Sequence, residues 1–463
     1  MIEVNHGMIT ALYQSYHQSR QVMDLDTLKQ LSQDVLKLAA NAGASSAEAE
    51  VSYGIGQQVS VRLGVPENIE YNQDKGFSVT VFFGQRKGHA SSSDLSPQAL
   101  HDTVEAACNI AKYTAQDEFC GLADATLMTS DLPNLDLHHP WKISIEDAIE
   151  IAKECEAAAM SVDNQRITNS EGASVYTNDS VFAYANSHGF IGGYPSTRHS
   201  ISCSVIAEQE TAMQRDYWYS SARDASDMGS ATDIGKIAGE RTVRRLGSRP
   251  IKTGQYPVLF EAPLASGLIS TLVNAISGSS LYRKSSFLLD SLGKPVASNI
   301  LNIQELPHIK KGSASSPFDN EGVATQPRQL VENGVLQGYV LSSYSARKLG
   351  MQTTGNAGGA HNLIVQDTRH SFTDLLHLMD TGLLVTELLG HGLNMVTGDY
   401  SRGAAGFWVE KGIIVHPVEE ITIASNMKDM LNQLIAIGTD IIPHSAKQTG
   451  SILIEQMTVA ASE

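Results

Sequence analysis

The sequence has 463 residues, with 33 lysines and arginines against 50 aspartates and glutamates, so its formal charge is −17. A chain of this length predicts two or three domains, and 42% hydrophobic with 18% charged residues is typical of a folded globular protein. The acidic excess repels a phosphate backbone, and no run of lysine and arginine is longer than two. The composition therefore argues against a nucleic-acid partner.

The four cysteines, Cys108, Cys120, Cys155 and Cys203, show no metal-binding spacing. Residues 1–23 have no basic segment followed by an apolar core, so we expect a frayed extension rather than an export signal. No stretch of about 18 apolar residues occurs, which predicts no transmembrane helix and no membrane partner. Together these features predict a cytoplasmic protein with reduced thiols.

Residues 24–225 are predicted to form an N-terminal α+β domain, because helices and strands are segregated there. Helical periodicity follows Leu25, Ser96 and Ser144, the last two being helix-capping residues. A strand-rich block runs from Ile167 to Tyr219. Between the first two helices, five alternating segments predict an antiparallel meander: AEAEVSYGIG, QQVSVRLG, ENIEYNQ, GFSVTVFFG and RKGHASSS.

A connecting helix is predicted over residues 226–249, ahead of a β-rich C-terminal domain at 250–463. That domain begins with an apolar strand from Tyr256 to Phe260 and a helix from Pro263 to Ile276. Two later helices are predicted: Phe372 to Leu383 and Met427 to Ile435. The fold class is therefore α+β.

The sequence lacks the common active-site signatures: a P-loop, a GxSxG elbow and an HExxH motif. Glu387 and His391 are four residues apart, so on a helix they would share one face, as metal ligands sometimes do. Alternatively, Gly390 and Gly392 end that helix and His391 caps its C-terminus. The second interpretation is favoured, because a metal site needs three or four ligands.

Three polar segments rich in glycine stand out at residues 281–293, 341–359 and 396–410. Glycine allows close approach of the backbone, so these segments are candidates for contact with a peptide or a partner protein. Their candidate side chains are Arg283, Lys284, Tyr344, Arg347, Tyr400 and Arg402. Equally, the arginines would satisfy carbonyl groups within turns. Both interpretations stay open at this point.

Four strings carry a specific resemblance to a known family: SSYSARKLGMQTTGNAGG, TGDYSRGAAGFWVE, YRKSSFLLDSLGK and NSHGFIGGYPSTRHS. They resemble the TldE (PmbA) branch of the TldD/PmbA metalloprotease family, formerly called modulator of DNA gyrase, and the likeness runs from about residue 24 to the C-terminus. The resemblance implies an α+β N-terminal domain and a β-rich C-terminal domain. It also implies a heterodimer with a TldD-like subunit that acts as a zinc metalloprotease on unfolded peptides, including peptide-antibiotic precursors and an antitoxin.

In that family the TldD-like subunit holds zinc on an HExxxH motif, with a later cysteine as third ligand. The matching segment here, VLFEAPLASGL, reads Phe260, Glu261 and Ala265 at the motif positions, and no cysteine follows Cys203. Phenylalanine and alanine cannot ligate zinc, so this chain is expected to carry no metal and no catalytic residue, with zinc in its partner. Glu261 is then interpreted as a charge complementing the N-terminus of a helix.

Two other functions remain as hypotheses. One is a regulatory or scaffold protein that binds a client without cutting it. The other is a metal-independent hydrolase whose nucleophile is Ser342, Ser343 or Ser345, with His361 as base. A homodimer is expected when the chain is isolated, because paralogues often share an interface geometry.

Overall fold

The computed structural model describes residues 23–210 and 212–461. The predicted frayed extension therefore lies almost wholly outside the described residues. The N-terminal part contains helices α1 (Leu25–Asn41), α2 (Pro97–Tyr113), α3 (Ile145–Ser161) and α4 (Ala231–Val243), and strands β1 (Ser46–Arg62), β2 (Val65–Phe83), β3 (Arg86–Ser92), β4 (Ile167–Asn186), β5 (Ile191–Gln209) and β6 (Ala212–Ala222).

These six strands form one antiparallel sheet in the order β3-β2-β1-β4-β5-β6. The predicted meander is confirmed, but its five segments are three strands. Gly54 and Gly56 continue β1 with extended backbones, whereas the turns fall at Gly64 and Gly84, whose φ angles are 74° and 59°. A positive φ at a turn favours glycine, whereas a glycine in an extended conformation within an alternating pattern does not by itself end a strand.

Helices cover one face of this sheet. Alternate valines such as Val51 and Val79 pack with α1 and α2, while Val59 and Val205 pack with α3 and α4. Because β-strand side chains alternate between faces, the residues between these valines point to the other side. Helix α4 lies so close to α3 that a Cβ at Gly235 would stand 2.0 Å from the carbonyl oxygen of Cys155.

Residues 250–461 of the C-terminal part contain five helices and eleven strands. They are β7 (Gly254–Phe260), α5 (Ala262–Ala275), α6 (Gly278–Tyr282), β8 (Ile303–Glu305), β9 (Arg328–Glu332), β10 (Val335–Leu336), α7 (Ser343–Lys348), β11 (Leu363–Val365), α8 (Phe372–Met379), β12 (Gly382–Leu389), β13 (Asp399–Glu410), β14 (Ile413–Asn426), α9 (Met427–Asn432), β15 (Leu434–Ile437), β16 (Lys447–Gln448) and β17 (Ile452–Ala461). The larger sheet has the order β14-β13-β12-β7-β17-β15, and β14 also pairs with β17. The smaller sheet has the order β10-β9-β8-β11-β16.

Two of the predicted helices in this part are shorter than expected. The first ends at Met379, because Asp380 adopts a φ of 57° and the apolar run that follows becomes β12, which pairs parallel with β7. The second ends at Asn432, and its last predicted turn belongs to β15. A short apolar run is compatible with a buried helix or a buried strand, and pairing across the sheet decided for the strand.

The architecture confirms the predicted α+β class with a β-rich C-terminal part. All four cysteines have free thiols. In residues 23–210 and 212–461, every helix falls short of the length and apolar character needed to cross a membrane.

Candidate functional site

The segment matching the family motif lies where β7 ends and α5 begins. Phe260 is the last residue of β7 and Ala265 lies in the first turns of α5, and both side chains are fully buried in the main hydrophobic core of the C-terminal part. Neither offers a nitrogen, oxygen or sulfur atom to a metal, and Zn²⁺ in proteins is bound by such donors. The residues at these positions therefore do not fit a zinc ion.

Glu261 stands between them at the N-cap position of α5, but its side chain makes no capping hydrogen bond. Instead, Nη1 of Arg241 donates to both carboxylate oxygens, at 2.9 and 3.0 Å, and Nη2 of Arg244 lies 3.4 Å from Oε1. The sequence placed Glu261 correctly at the helix start. Arg241 of α4 and Arg244, which caps the C-terminus of that helix, hold its charge in addition to the N-terminus of α5.

Glu261 belongs to a larger charged cluster of three acids and three arginines: Asp216, Glu261, Glu387, Arg241, Arg244 and Arg245. Within it, Nε of Arg241 lies 3.3 Å from Asp216, and Arg245 donates to Glu387. Burial opposes the charge of Arg241, but Glu261 and Asp216 outweigh it and raise the pKa of that guanidinium. The charged cluster thereby joins β6 and α4 to the start of α5 and to β12.

Both interpretations of Glu387 and His391 assumed a helix, so the shared helix face and the favoured helix cap by His391 are both wrong. Glu387 lies in strand β12, which ends at Leu389 before His391, and its carboxylate accepts a hydrogen bond from Arg245. His391 is exposed. Among residues 23–210 and 212–461, one group of three possible ligands has its atoms within 4.8 Å of one another: His101, Asp102 and Glu105. All three side chains are exposed on α2, and exposed acidic groups are common without a metal.

Tyr344 and Arg347 are brought together on α7, where they contact residues 117–122 of the N-terminal part. The Tyr344 hydroxyl donates to Asp117 at 2.7 Å, which lowers the pKa of that carboxyl and raises the pKa of the tyrosine. Nη1 of Arg347 donates to the carbonyls of Phe119 and Gly121 at 3.1 and 3.0 Å, and Nη2 donates to the Leu122 carbonyl. We call this set of contacts the α7 contact.

Arg283 and Lys284 follow α6 and are exposed. Arg283 lies over the ring of its neighbour Tyr282, which in turn contacts Tyr344 edge to face with ring centroids 5.9 Å apart. Arg283 therefore lies at the border of the α7 contact, with its guanidinium near the surface.

Tyr400 and Arg402 lie on β13, apart from α7. Burial raises the pKa of Tyr400 to about 12, and its buried hydroxyl has no hydrogen-bond partner. Arg402 donates from Nη2 to the Gly390 carbonyl at 2.7 Å. This arginine satisfies a carbonyl, as the turn interpretation of these segments expects.

The serines proposed as nucleophiles are not paired with His361. Ser342 and Ser345 form the reciprocal capping box of α7, and the buried hydroxyl of Ser343 has no partner. Nδ1 of His361 lies 3.1 Å from Glu305, whose carboxylate also accepts from Arg328. The geometry gives the hydrolase hypothesis no support, because a serine nucleophile needs a base within hydrogen-bond reach.

Sequence reasoning missed the three arginines of the charged cluster. Arg244 and Arg245 follow Arg241 at the three- and four-residue spacing of one helix face, which is a signal visible in the sequence, although α4 itself ends at Val243. Their acidic partners come from three separate elements, so that signal alone did not identify the contact.

Comparisons with known proteins agree with this architecture. Three family descriptions match: PmbA/TldA metallopeptidase domain 1 over residues 47–111, its central domain over 138–246 and its C-terminal domain over 253–461. Metalloprotease PmbA of Escherichia coli O157:H7 is 49% identical over 421 residues, which cover 91% of this chain and 93% of that protein. A Metalloprotease PmbA homolog of Haemophilus influenzae is 48% identical over 94% of this chain and 96% of its own length.

The fold also matches solved structures. A proposed modulator of DNA gyrase from Bacteroides thetaiotaomicron superimposes with a TM-score of 0.90 at 28% identity, covering 96% of this chain and 100% of that one. In sequence, a Metalloprotease TldD homolog of Haemophilus influenzae is 22% identical over 80% of this chain and 80% of its own length. The likeness therefore extends to relatives of both names.

Proposed function

The chain belongs to the PmbA/TldD metallopeptidase family, and from that premise we propose that it is the non-catalytic subunit of a peptide-cleaving complex. In this proposal a TldD-like paralogue carries the zinc ion and the catalytic glutamate. The substrates are unfolded or loosely folded peptides, such as peptide-antibiotic precursors or an antitoxin.

The observation that supports the proposal is that the segment matching the zinc motif has no zinc-binding side chains at its two histidine positions. Phe260 and Ala265 pack into the hydrophobic core, and Glu261 is bound by Arg241 and Arg244. A catalytic zinc needs about three protein ligands to activate a water molecule, and a carboxylate acts as general base only when that water is present. Glu261 is committed to two cations instead, which favours a structural role.

The role proposed for this chain is therefore to form part of the complex and to contact the peptide substrate. Its charged cluster and its α7 contact both join the N-terminal to the C-terminal part, which supports a rigid subunit. A rigid subunit is able to position a partner's loops without chemistry of its own.

The test is co-expression with the TldD-like paralogue, followed by metal analysis and digestion of an unfolded, fluorescently labelled peptide. We expect the complex to contain zinc and to cut the peptide, and the isolated chain to do neither. Glu261→Gln in the complex should leave kcat for peptide cleavage unchanged. Cleavage by the isolated chain in excess chelator would refute the proposal, as would recovery of a stable client without any paralogue.

A further inference from the structure

The face of the N-terminal sheet opposite the helices is incompletely covered around β5 and β6. Along β5 the side chains of Arg198, Ser200 and Ser202 are half-buried, whereas those between them are buried towards the helices. On the neighbouring strand, Tyr219 pairs with Ser202 and is exposed. A polar surface therefore remains accessible beside the C-terminal part.

Arg198 is a charged residue of this surface, and its hydrogen-bond partner is neutral. Its Nη1 donates to Oγ of Ser313 at 2.9 Å, while the hydroxyl of Ser313 donates onward to the carbonyl of His444. Within residues 23–210 and 212–461, neither Nε nor Nη2 of Arg198 has an acceptor, and no carboxylate pairs with it. Arg198 is half-buried, and this burial lowers the pKa of its guanidinium.

A second guanidinium lies beside the first. Arg223 donates to the carbonyls of Gly312, Thr197 and Ser313 at 3.0, 3.2 and 3.0 Å. Burial, and then the charge of Arg198, lower its pKa. Two positive groups thus meet at Ser313 with only uncharged acceptors, although an unpaired charge removed from water is unfavourable.

The nearest acid in the sequence does not neutralise them. Asp224 follows Arg223, but its carboxylate accepts from Lys311 at 2.7 Å and from Ser226, and Lys311 foremost lowers its pKa. In a chain with 17 more acidic than basic residues, two neighbouring arginines without a carboxylate partner therefore define a local positive site.

We propose that Arg198, with Arg223 and Ser313 beside it, binds a carboxylate group of a peptide, either the C-terminal carboxylate or an acidic side chain. This inference rests on the proposed function, which supplies the peptide. The free Nε and Nη2 donors of Arg198 are the adjacent pair that a guanidinium offers to both oxygens of one carboxylate. A polyanion such as nucleic acid fits less well, because the net charge of the chain repels a long row of phosphates.

The test uses the complex with its TldD-like paralogue, kept inactive with a chelator so that the peptide stays intact. Fluorescence anisotropy at low salt compares three labelled, unfolded peptides without aspartate. The first has a free C-terminus and no glutamate, the second is its C-terminal amide, and the third is the amide with one internal glutamate. We expect either the free acid or the glutamate peptide to bind about tenfold more tightly than the plain amide, as one charged hydrogen-bonded pair predicts.

Matched variants assign that preference to a residue. Arg198→Gln should abolish it while leaving the affinity for the amide unchanged, which also shows that the variant is folded. Arg198→Lys should keep part of it. Arg215→Gln is the control, because Arg215 lies on β6 and already pairs with Glu171 at 3.1 Å, so its loss should leave the preference intact.

The three possible failures are distinguishable. Equal affinity of wild-type complex for all three peptides would overturn this inference and leave the proposed function standing. A preference that persists in Arg198→Gln would overturn the assignment to Arg198. Absence of binding to every peptide would overturn the proposed function together with the inference.

Discussion

Among the contacts that join the N-terminal and C-terminal parts of the molecule, the charged cluster and the α7 contact are built on different principles. The charged cluster pairs three arginines with three acids. It is largely buried, since Arg241 and Asp216 are 8% and 6% exposed. The α7 contact instead directs a guanidinium at three neutral carbonyls and one tyrosine hydroxyl at a carboxylate. Removing one member of the first leaves a buried charge, whereas removing Arg347 from the second leaves unpaired neutral carbonyls.

The largest effect is expected from breaking the charged cluster at its centre. Glu261→Ala leaves Arg241 and Arg244 with one carboxylate too few and should lower the free energy of unfolding by about 3–5 kcal/mol. Urea denaturation of the full chain measures this loss. As a control, Glu150→Ala breaks the exposed ion pair with Lys153, 2.9 Å long, and should cost at most about 1 kcal/mol. Equal losses in the two variants would contradict the burial argument.

A buried carboxylate outside both contacts provides a pH reference. Burial opposes ionisation of Glu305, but hydrogen bonds from His361 and the charge of Arg328 prevail and lower its pKa from 4.5 to about 2. A lowered pKa adds stability that is fully present above pH 4.5 and is lost as the pH falls towards 2. Glu305→Gln should therefore cost about 3 kcal/mol at pH 6 and progressively less in acid.

Urea titrations of wild type and Glu305→Gln from about pH 6 down towards pH 2 check this prediction, because the stabilisation is lost between pH 4.5 and about pH 2. The two curves should converge as the pH falls. A difference that stays constant across the range would show that the variant loses packing rather than a charge effect, and would refute the electrostatic assignment of Glu305.

Breaking the α7 contact should destabilise the protein less than breaking the charged cluster does. Arg347→Ala removes the donor for three carbonyls of residues 117–122 and is expected to lower the free energy of unfolding by about 2 kcal/mol. Limited proteolysis should then cut residues 117–122 faster. Arg283→Ala is the matched control, since Arg283 is exposed and should change stability by about 0.5 kcal/mol or less. An unchanged cutting rate in Arg347→Ala would argue against the described docking of α7.

The smallest effect is expected from Tyr344→Phe, which removes one hydrogen bond to Asp117 and should cost about 1 kcal/mol. The pKa of Asp117 should rise towards its ordinary value, because the hydroxyl that holds it down is gone. An NMR titration of the Asp117 carboxyl carbon measures this shift. A pKa that does not move would assign its lowering to the Phe119 amide and Lys348 instead.

Much of the fold follows from local patterns. The starts of α2 and α3 were predicted from Ser96 and Ser144, and both cap their helices in the structure. The antiparallel order of β1, β2 and β3 was also predicted, because alternation and short connections favour neighbouring pairing. The number of strands and the ends of α8 and α9 were not, since glycine in an extended conformation and short apolar runs are locally ambiguous.

The candidate site was less predictable. The predicted helix beginning at Pro263 placed Glu261 at a helix start, but the sequence did not identify its arginine partners. Arg347 was equally compatible with peptide contact and with carbonyl contact until residues 117–122 were found beside it. Tertiary proximity, rather than residue type, separates these two interpretations.

The sequence by itself determined the α+β class, the capped helix starts, the family and the absence of donor atoms at Phe260 and Ala265. These depend on residue identity or on neighbours within a few positions. Only the tertiary structure decided what holds Glu261 and Arg347. The partners of Glu261 lie 17 and 20 residues away, and those of Arg347 lie more than 220 residues away. Contacts over such distances arise from chain packing, and local periodicity carries no record of them.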